Sequence, residues 1–161
     1  MTISEDAQVS IVLADYAAQD GSGKINIIGA GWGITGLQPT GLTPELAVVA
    51  FIELPPRYRG ERFATCVKLV DEAGDPVTLP GPGGNPQALR VQQLITVDPP
   101  MAPGIHIPGN VPSLQKVVLR LGNGLPLSPN QMYKWICEVD GTDKASIAFY
   151  IAGPPPPPVI G

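Results

Sequence analysis

Apolar and polar side chains alternate with a period of two through most of this chain, the signature of half-buried strands. In residues 8–18, Val9, Ile11 and Leu13 alternate with Ser10, Val12 and Ala14. In residues 62–71, Phe63, Thr65, Val67 and Leu69 fall on one side. Residues 132–140 set Tyr133, Trp135, Cys137 and Val139 against Lys134, Ile136 and Glu138. Residues 144–151 place Ala145, Ile147, Phe149 and Ile151 inward, and Asp140-Gly141 before them is a strong hairpin signal. Residues 25–32, 88–97 and 114–121 read as further strands, the last with Val117, Leu119 and Leu121 inward, and residues 76–79 as a short extended piece. Residues 45–54 (ELAVVAFIEL) are apolar almost throughout. They predict either a strand buried on both faces or a short helix, which periodicity does not separate.

Between these segments lie glycine and proline. The chain of 161 residues holds 19 Gly and 20 Pro, while 43% of it is hydrophobic. That apolar content argues for a packed core, so the breakers punctuate many short strands. Loops are expected at residues 20–24, 37–44, 98–113 and 122–131, and residues 80–86 (PGPGGNP) are expected to hold no regular structure. The fold class this predicts is all-β: an antiparallel β-sandwich of about eight strands. Its architecture is expected to be immunoglobulin-like or C2-like. The cysteine–tryptophan–cysteine spacing of true immunoglobulin domains is absent, because Trp135 sits beside Cys137. The expected division is an N-terminal arm (1–7), the sandwich (8–152) and a Pro-rich tail (153–161). Five consecutive prolines at 154–158 predict a polyproline II rod of roughly 15 Å, tipped with Val159 and Ile160.

Net charge is −4, and only 15% of residues are charged. Arg57, Arg59 and Arg62 form the densest cationic group but are flanked by Glu53 and Glu61. Phosphate backbones require concentrated positive charge, so nucleic acid is not an expected partner. No apolar run is long enough for a membrane helix, and residues 1–6 have neither the basic nor the apolar region of a signal peptide. A chain kept in a cytoplasm, or leaving by a route other than secretion, is expected. Cys66 is placed outward and Cys137 inward, which disfavours a disulfide.

Candidate chemistry is sparse. Gly31-Trp32-Gly33-Ile34-Thr35-Gly36 matches a dinucleotide fingerprint, but the Pro39, Gly41 and Pro44 that follow leave no helix to hold a pyrophosphate. His106 is the one histidine, so no histidine-based metal site is expected and a packing role is. Asp71, Glu72 and Asp75 read as turn formers rather than as a cation loop. Cys66 has no evident base beside it. No enzyme and no cofactor is predicted.

Leu13-Ala14-Asp15-Tyr16-Ala17 followed by Gly23-Lys24-Ile25-Asn26-Ile27-Ile28-Gly29-Ala30-Gly31-Trp32 resembles an uncharacterised family of small proteins from actinobacteria and the tailed phages that infect them. The resemblance continues through Arg62-Phe63, Asp71-Glu72-Ala73-Gly74, Tyr133-Lys134-Trp135 and Asp140-Gly141. It implies a setting, a phage or its host, and transfers no functional residue.

Together these readings predict a virion structural protein, a decoration protein on the outer capsid surface that passes through the host cytoplasm during assembly. Its partner would be the major capsid protein or another virion protein, and it would form a small homo-oligomer, a ring or a trimer. A tail or baseplate accessory protein, and a soluble host module whose proline rod is a ligand, are the alternatives. The expected interface is Met1, Thr2 and Ile3; Pro99, Pro100, Met101, Pro103, Ile105, His106, Ile107 and Pro108; and Pro154, Pro155, Pro156, Pro157, Pro158, Val159 and Ile160.

Overall fold

The computed structural model describes residues 1–155 and 157–159. The chain is all-β. One short helix, α1 (Ile3–Asp6), precedes β1 (Gln8–Ala14), β2 (Tyr16–Gln19), β3 (Ile25–Ile28), β4 (Ile34–Gly36), β5 (Leu46–Leu54), β6 (Arg62–Asp71), β7 (Thr78–Pro80), β8 (Pro86–Ala88), β9 (Arg90–Thr96), β10 (Ser113–Leu121), β11 (Gln131–Val139) and β12 (Thr142–Ala152). One sheet has the order β1–β5–β10. A second, β4–β12–β11–β6–β9, curls into a half-barrel. Two ribbons, β2–β3 and β7–β8, complete the topology. Among the described residues the pairings are antiparallel except β4 with β12, which run parallel, so the expected antiparallel arrangement has one departure.

The two larger sheets share one hydrophobic core. Leu46, Val48, Ala50, Ile52 and Leu54 of β5 point into it, as do Phe63, Val67 and Leu69 of β6 and Tyr133, Trp135, Cys137 and Val139 of β11. Trp135 and Phe149 are fully buried. Alternation on β6 and β11 therefore does what the sequence predicts. Val117 is buried as expected on β10, while Leu119 and Leu121 are only half-buried against the core.

The ambiguous segment 45–54 is a strand, and the β2–β3 ribbon explains its double burial. Ala47 and Val49 face away from the main core and pack with Ala17, Ile25 and Ile27 of the ribbon. The ribbon arises because the expected single strand 8–18 breaks at Asp15. The Asp15 amide donates to the Ile28 and Gly29 carbonyls at 3.1 and 3.2 Å. Gly29 has a φ of +66°, and a Cβ there would lie 2.1 Å from an Asp15 carboxylate oxygen. Only glycine permits this approach. The same turn ends the strand expected over 25–32 at Ile28.

Three further expectations change. Residues 1–7 are not an arm, because Thr2 caps α1 in a capping box with Glu5, and Ile3 and Ala7 are buried. Residues 80–86 close the β7–β8 ribbon, with Gly81 donating to the Asn85 carbonyl at 2.8 Å. Cys66 alternates to the outer face of its sheet but is buried between its cross-strand neighbours Glu138 and Gln92. It and Cys137, on the inner face, are free thiols.

Candidate functional site

Residues 97–112 connect β9 to β10 and form the longest irregular segment of the described chain. Both ends are fixed. Val97 is buried and its amide donates to the Glu61 carbonyl at 2.8 Å. At the far end Arg59 Nη2 donates to the Val111 carbonyl at 2.6 Å, and Gln115 Nε2 reaches the Asp98 carbonyl at 3.3 Å. Inside the loop, turns form where Ile105 donates to Ala102 and Val111 to Pro108. Prolines fix φ and remove amide donors through the rest.

Such a loop has little freedom to fold its apolar groups inward. Met101 is 86% exposed and Ile105 is 68% exposed. Pro99, Pro103, His106 and Pro108 are exposed, while Pro100 and Ile107 are half-buried. His106 therefore does not have the packing role expected of it. No Asp, Glu, Lys or Arg lies between Asp98 and Lys116. At the loop's root is a depression of about 560 Å³, lined by Pro99, Pro100, Met101, Pro112 and Leu114 and by the β2–β3 turn. Lys116 Nζ donates to the Gly23 carbonyl at 2.6 Å and holds that turn in place.

The N-terminal residues belong to the same end of the molecule. Gln8 of β1 pairs with Glu53, and Ser113 of β10 with Leu54, so both α1 and the loop sit at the C-terminal end of β5. The connector after β5 holds them. Asp6 accepts from Tyr58 Oη and from the Arg57 guanidinium, while Arg59 holds the loop. The hydroxyl of Tyr58, and secondarily Arg57, hold the Asp6 carboxyl below its ordinary range. Met1 is exposed, Thr2 caps the helix, and Ile3 is buried, so Ile3 is corrected from an interface residue to a core residue. The Pro55–Pro56–Arg57–Tyr58–Arg59 connector organises this end and was read in sequence only as a cationic group. Its signal was the repeated proline before alternating arginine and tyrosine.

The tail leaves from the opposite end. β5 begins where Leu46 pairs with Leu121, and residues 37–44 lead into it. Ala152, Gly153, Pro154 and Pro155 line a depression of about 500 Å³ with Leu37, Gln38 and Pro39 of that loop. The nine residues of β5 put roughly 25–30 Å between the two ends. Asn130 fixes the root of the tail, where Gly153 donates to its Oδ1 at 3.2 Å. A Cβ on Gly153 would come within 2.6 Å of the Asn130 side chain. Beyond this point Pro154, Pro155, Pro157, Pro158 and Val159 are exposed, and Pro156 and Ile160 lie outside the described residues. The expected interface thus resolves into two poles rather than one surface.

The remaining candidates have structural roles. Gly31, Trp32 and Gly33 lead into strand β4, which Ile34, Thr35 and Gly36 form. Asp71 Oδ1 accepts from the Ala73 and Asp75 amides at 3.0 and 2.9 Å, which makes the turn expected there. Burial pushes both cysteine thiols up. Lys68 Nζ pairs with Glu138 and with Asp143 at 3.0 Å, and the hydrogen bond to Glu138 chiefly raises its pKa. Among the described residues no helix is long and apolar enough to cross a membrane, and no group of three or more His, Cys, Asp or Glu side chains could hold a metal ion.

No protein-family model matches this chain, and no curated protein matches it.

Proposed function

We propose that this chain is a non-enzymatic structural protein that binds other proteins through its two poles, and that it decorates the outer surface of a phage capsid. The finer architecture that goes with this reading is a sandwich of the β1–β5–β10 sheet and the half-barrel sheet, with the Pro-rich tail as an extension. One observation carries the proposal: a proline-stiffened loop, fixed at both ends and without charge beyond Asp98, holds Met101 and Ile105 in solvent. An apolar group held out by a rigid frame loses little conformational entropy on docking, so burial converts more fully into affinity. The tail at the other pole supports a molecule that seats at one end and reaches from the other. The acidic net charge suits a surface away from DNA. The phage setting comes from the resemblance in residues 13–32, and the partner would be the major capsid protein. Repetition over a lattice would turn weak single contacts into stable occupancy.

The test is quantitative mass spectrometry of purified particles, followed by rebinding of the purified chain to particles that lack it. Hundreds of copies per particle, with occupancy lost for Met101→Asp/Ile105→Asp while thermal unfolding stays unchanged, is the expected result. A handful of copies would instead indicate a tail or baseplate position. Absence from particles would overturn the virion reading and leave the host module, with the exposed prolines as its ligand.

A further inference from the structure

Strand β9 forms the outer edge of the half-barrel sheet, paired only with β6. Its hydrogen-bonding direction is fixed at both ends. The Val97 amide donates to the Glu61 carbonyl at 2.8 Å, and the Leu69 amide donates to the Leu89 carbonyl at 3.0 Å. Directions alternate along a strand, so the odd residues between them face β6. Arg90, Gln92, Leu94 and Thr96 turn their amides and carbonyls outward. Among the described residues these outward groups of Gln92, Leu94 and Thr96 have no backbone partner, and the β7–β8 ribbon reaches only to Leu89.

An open edge templates pairing with another chain, and proteins that stay single guard it with charge, proline, a bulge or brevity. The other edges of the two larger sheets are guarded. β4 has three residues, β1 lies against β12, and β10 carries Lys116 and Arg120 under the β2–β3 ribbon. Apart from Arg90 at its start, β9 has none of these devices. Its seven residues, RVQQLIT, contain no proline and no charge after Arg90, its β6 pairing has no register shift, and Leu94 is 59% exposed.

We propose that the occupant of this edge is β9 of a second copy, antiparallel about a two-fold axis at Gln93, giving one continuous ten-stranded sheet. Gln92 then pairs with Leu94 of the second copy, and Arg90 with Thr96. This register overlaps the whole strand with itself and matches outward residues to outward residues. Charge selects the direction. Arg90 stands at one end of the uncharged run and Asp98 at the other, so antiparallel pairing brings each Arg90 diagonally beside Asp98 of the second copy. Parallel pairing would set Arg90 beside Arg90. A two-fold contact is isologous and closes at a pair, so it replaces the ring or trimer expected from sequence. Of the two poles it touches only Asp98 at the root of the apolar loop, and it does not depend on the capsid reading.

Analytical ultracentrifugation of the purified full chain, over rising concentration, tests it. The wild type is expected to reach twice the chain mass. Leu94→Pro removes one outward amide without touching the β6 ladder and is expected to stay at single mass with wild-type thermal unfolding. Gln92→Lys/Leu94→Lys and Gln92→Glu/Leu94→Glu place like charges opposite one another. Each is expected to be single alone, and an equimolar mixture is expected to pair, which keeps the test open if the proline variant misfolds. A wild type that stays at single mass at every concentration would overturn the proposal. So would a pair that persists in the lysine and glutamate variants alone, or a mixture that fails to pair.

Discussion

Replacing Ile3 with alanine asks whether the first residues are docked or free. Ile3 is 6% exposed, lies in the main core cluster, and belongs to a helix of only four residues. Such a helix has no stability of its own and persists only through packing and caps. The substitution removes three carbons, and at about 0.8 kcal/mol per buried CH₂ the transfer loss is roughly 2.4 kcal/mol. Buried Ile→Ala changes in closed cores cost about 2–5 kcal/mol because a cavity adds to the transfer loss. Here α1 is at a chain end and can lift away instead of leaving a cavity. The loss is therefore capped at the free energy of docking α1, and about 2 kcal/mol is expected. Urea unfolding should show a lower midpoint at similar slope, because little total surface changes. Hydrogen exchange should show lost protection at the Ala7 amide, which donates to the Ile3 carbonyl at 2.9 Å. An unchanged midpoint together with unprotected Ala7 in the wild type would refute the reasoning, since α1 would then be a free arm.

Acidification should release the same helix. The folded Asp6 carboxyl lies below its ordinary 3.8, so its contribution is present above that value and fades as pH falls through the folded one. Ala7 protection should therefore fall on acidification below about pH 3.8, and Asp6→Asn should shrink that step to the part carried by Glu5, whose carboxyl is also held low by its hydrogen bonds to Thr2. Gly124→Ala should destabilise by about 2–5 kcal/mol in urea titration, because φ is +71° and the new Cβ would lie 1.9 Å from the Thr43 carbonyl oxygen. Gly109→Ala, with open space around it, should change stability by less than about 0.5 kcal/mol. Asp140→Ala should cost about 1–2 kcal/mol, since Oδ1 accepts from the Ala64 amide at 2.8 Å and Asp140 adopts a φ of +47°. Neither cysteine should react with a thiol reagent in the native protein, and both should react in urea, because burial raises both thiol pKa values.

The sequence alone determined whatever depends on near neighbours. Alternation in β6 and β11, the Asp140-Gly141 hairpin and the stiffness of the loop after β9 follow from residues a few positions apart. The Thr2–Glu5 capping box was equally local, yet residues 1–7 read as an arm, because its helix is a single turn that only the burial of Ile3 and Ala7 secures. Tertiary structure decided what depends on pairing between distant segments. Residues 45–54 became a strand covered on both faces because the ribbon folds over one of them, which happens through a contact between Asp15 and Gly29. The parallel match of β4 with β12 joins segments more than a hundred residues apart. The register of β5 with β1 and β10 sends α1 and the apolar loop to one pole and leaves the tail at the other. Alternation states which face of a strand is apolar but not which strand it meets, because every apolar face is satisfied by any other. Partner and register are set by how the sheets as a whole close over one core.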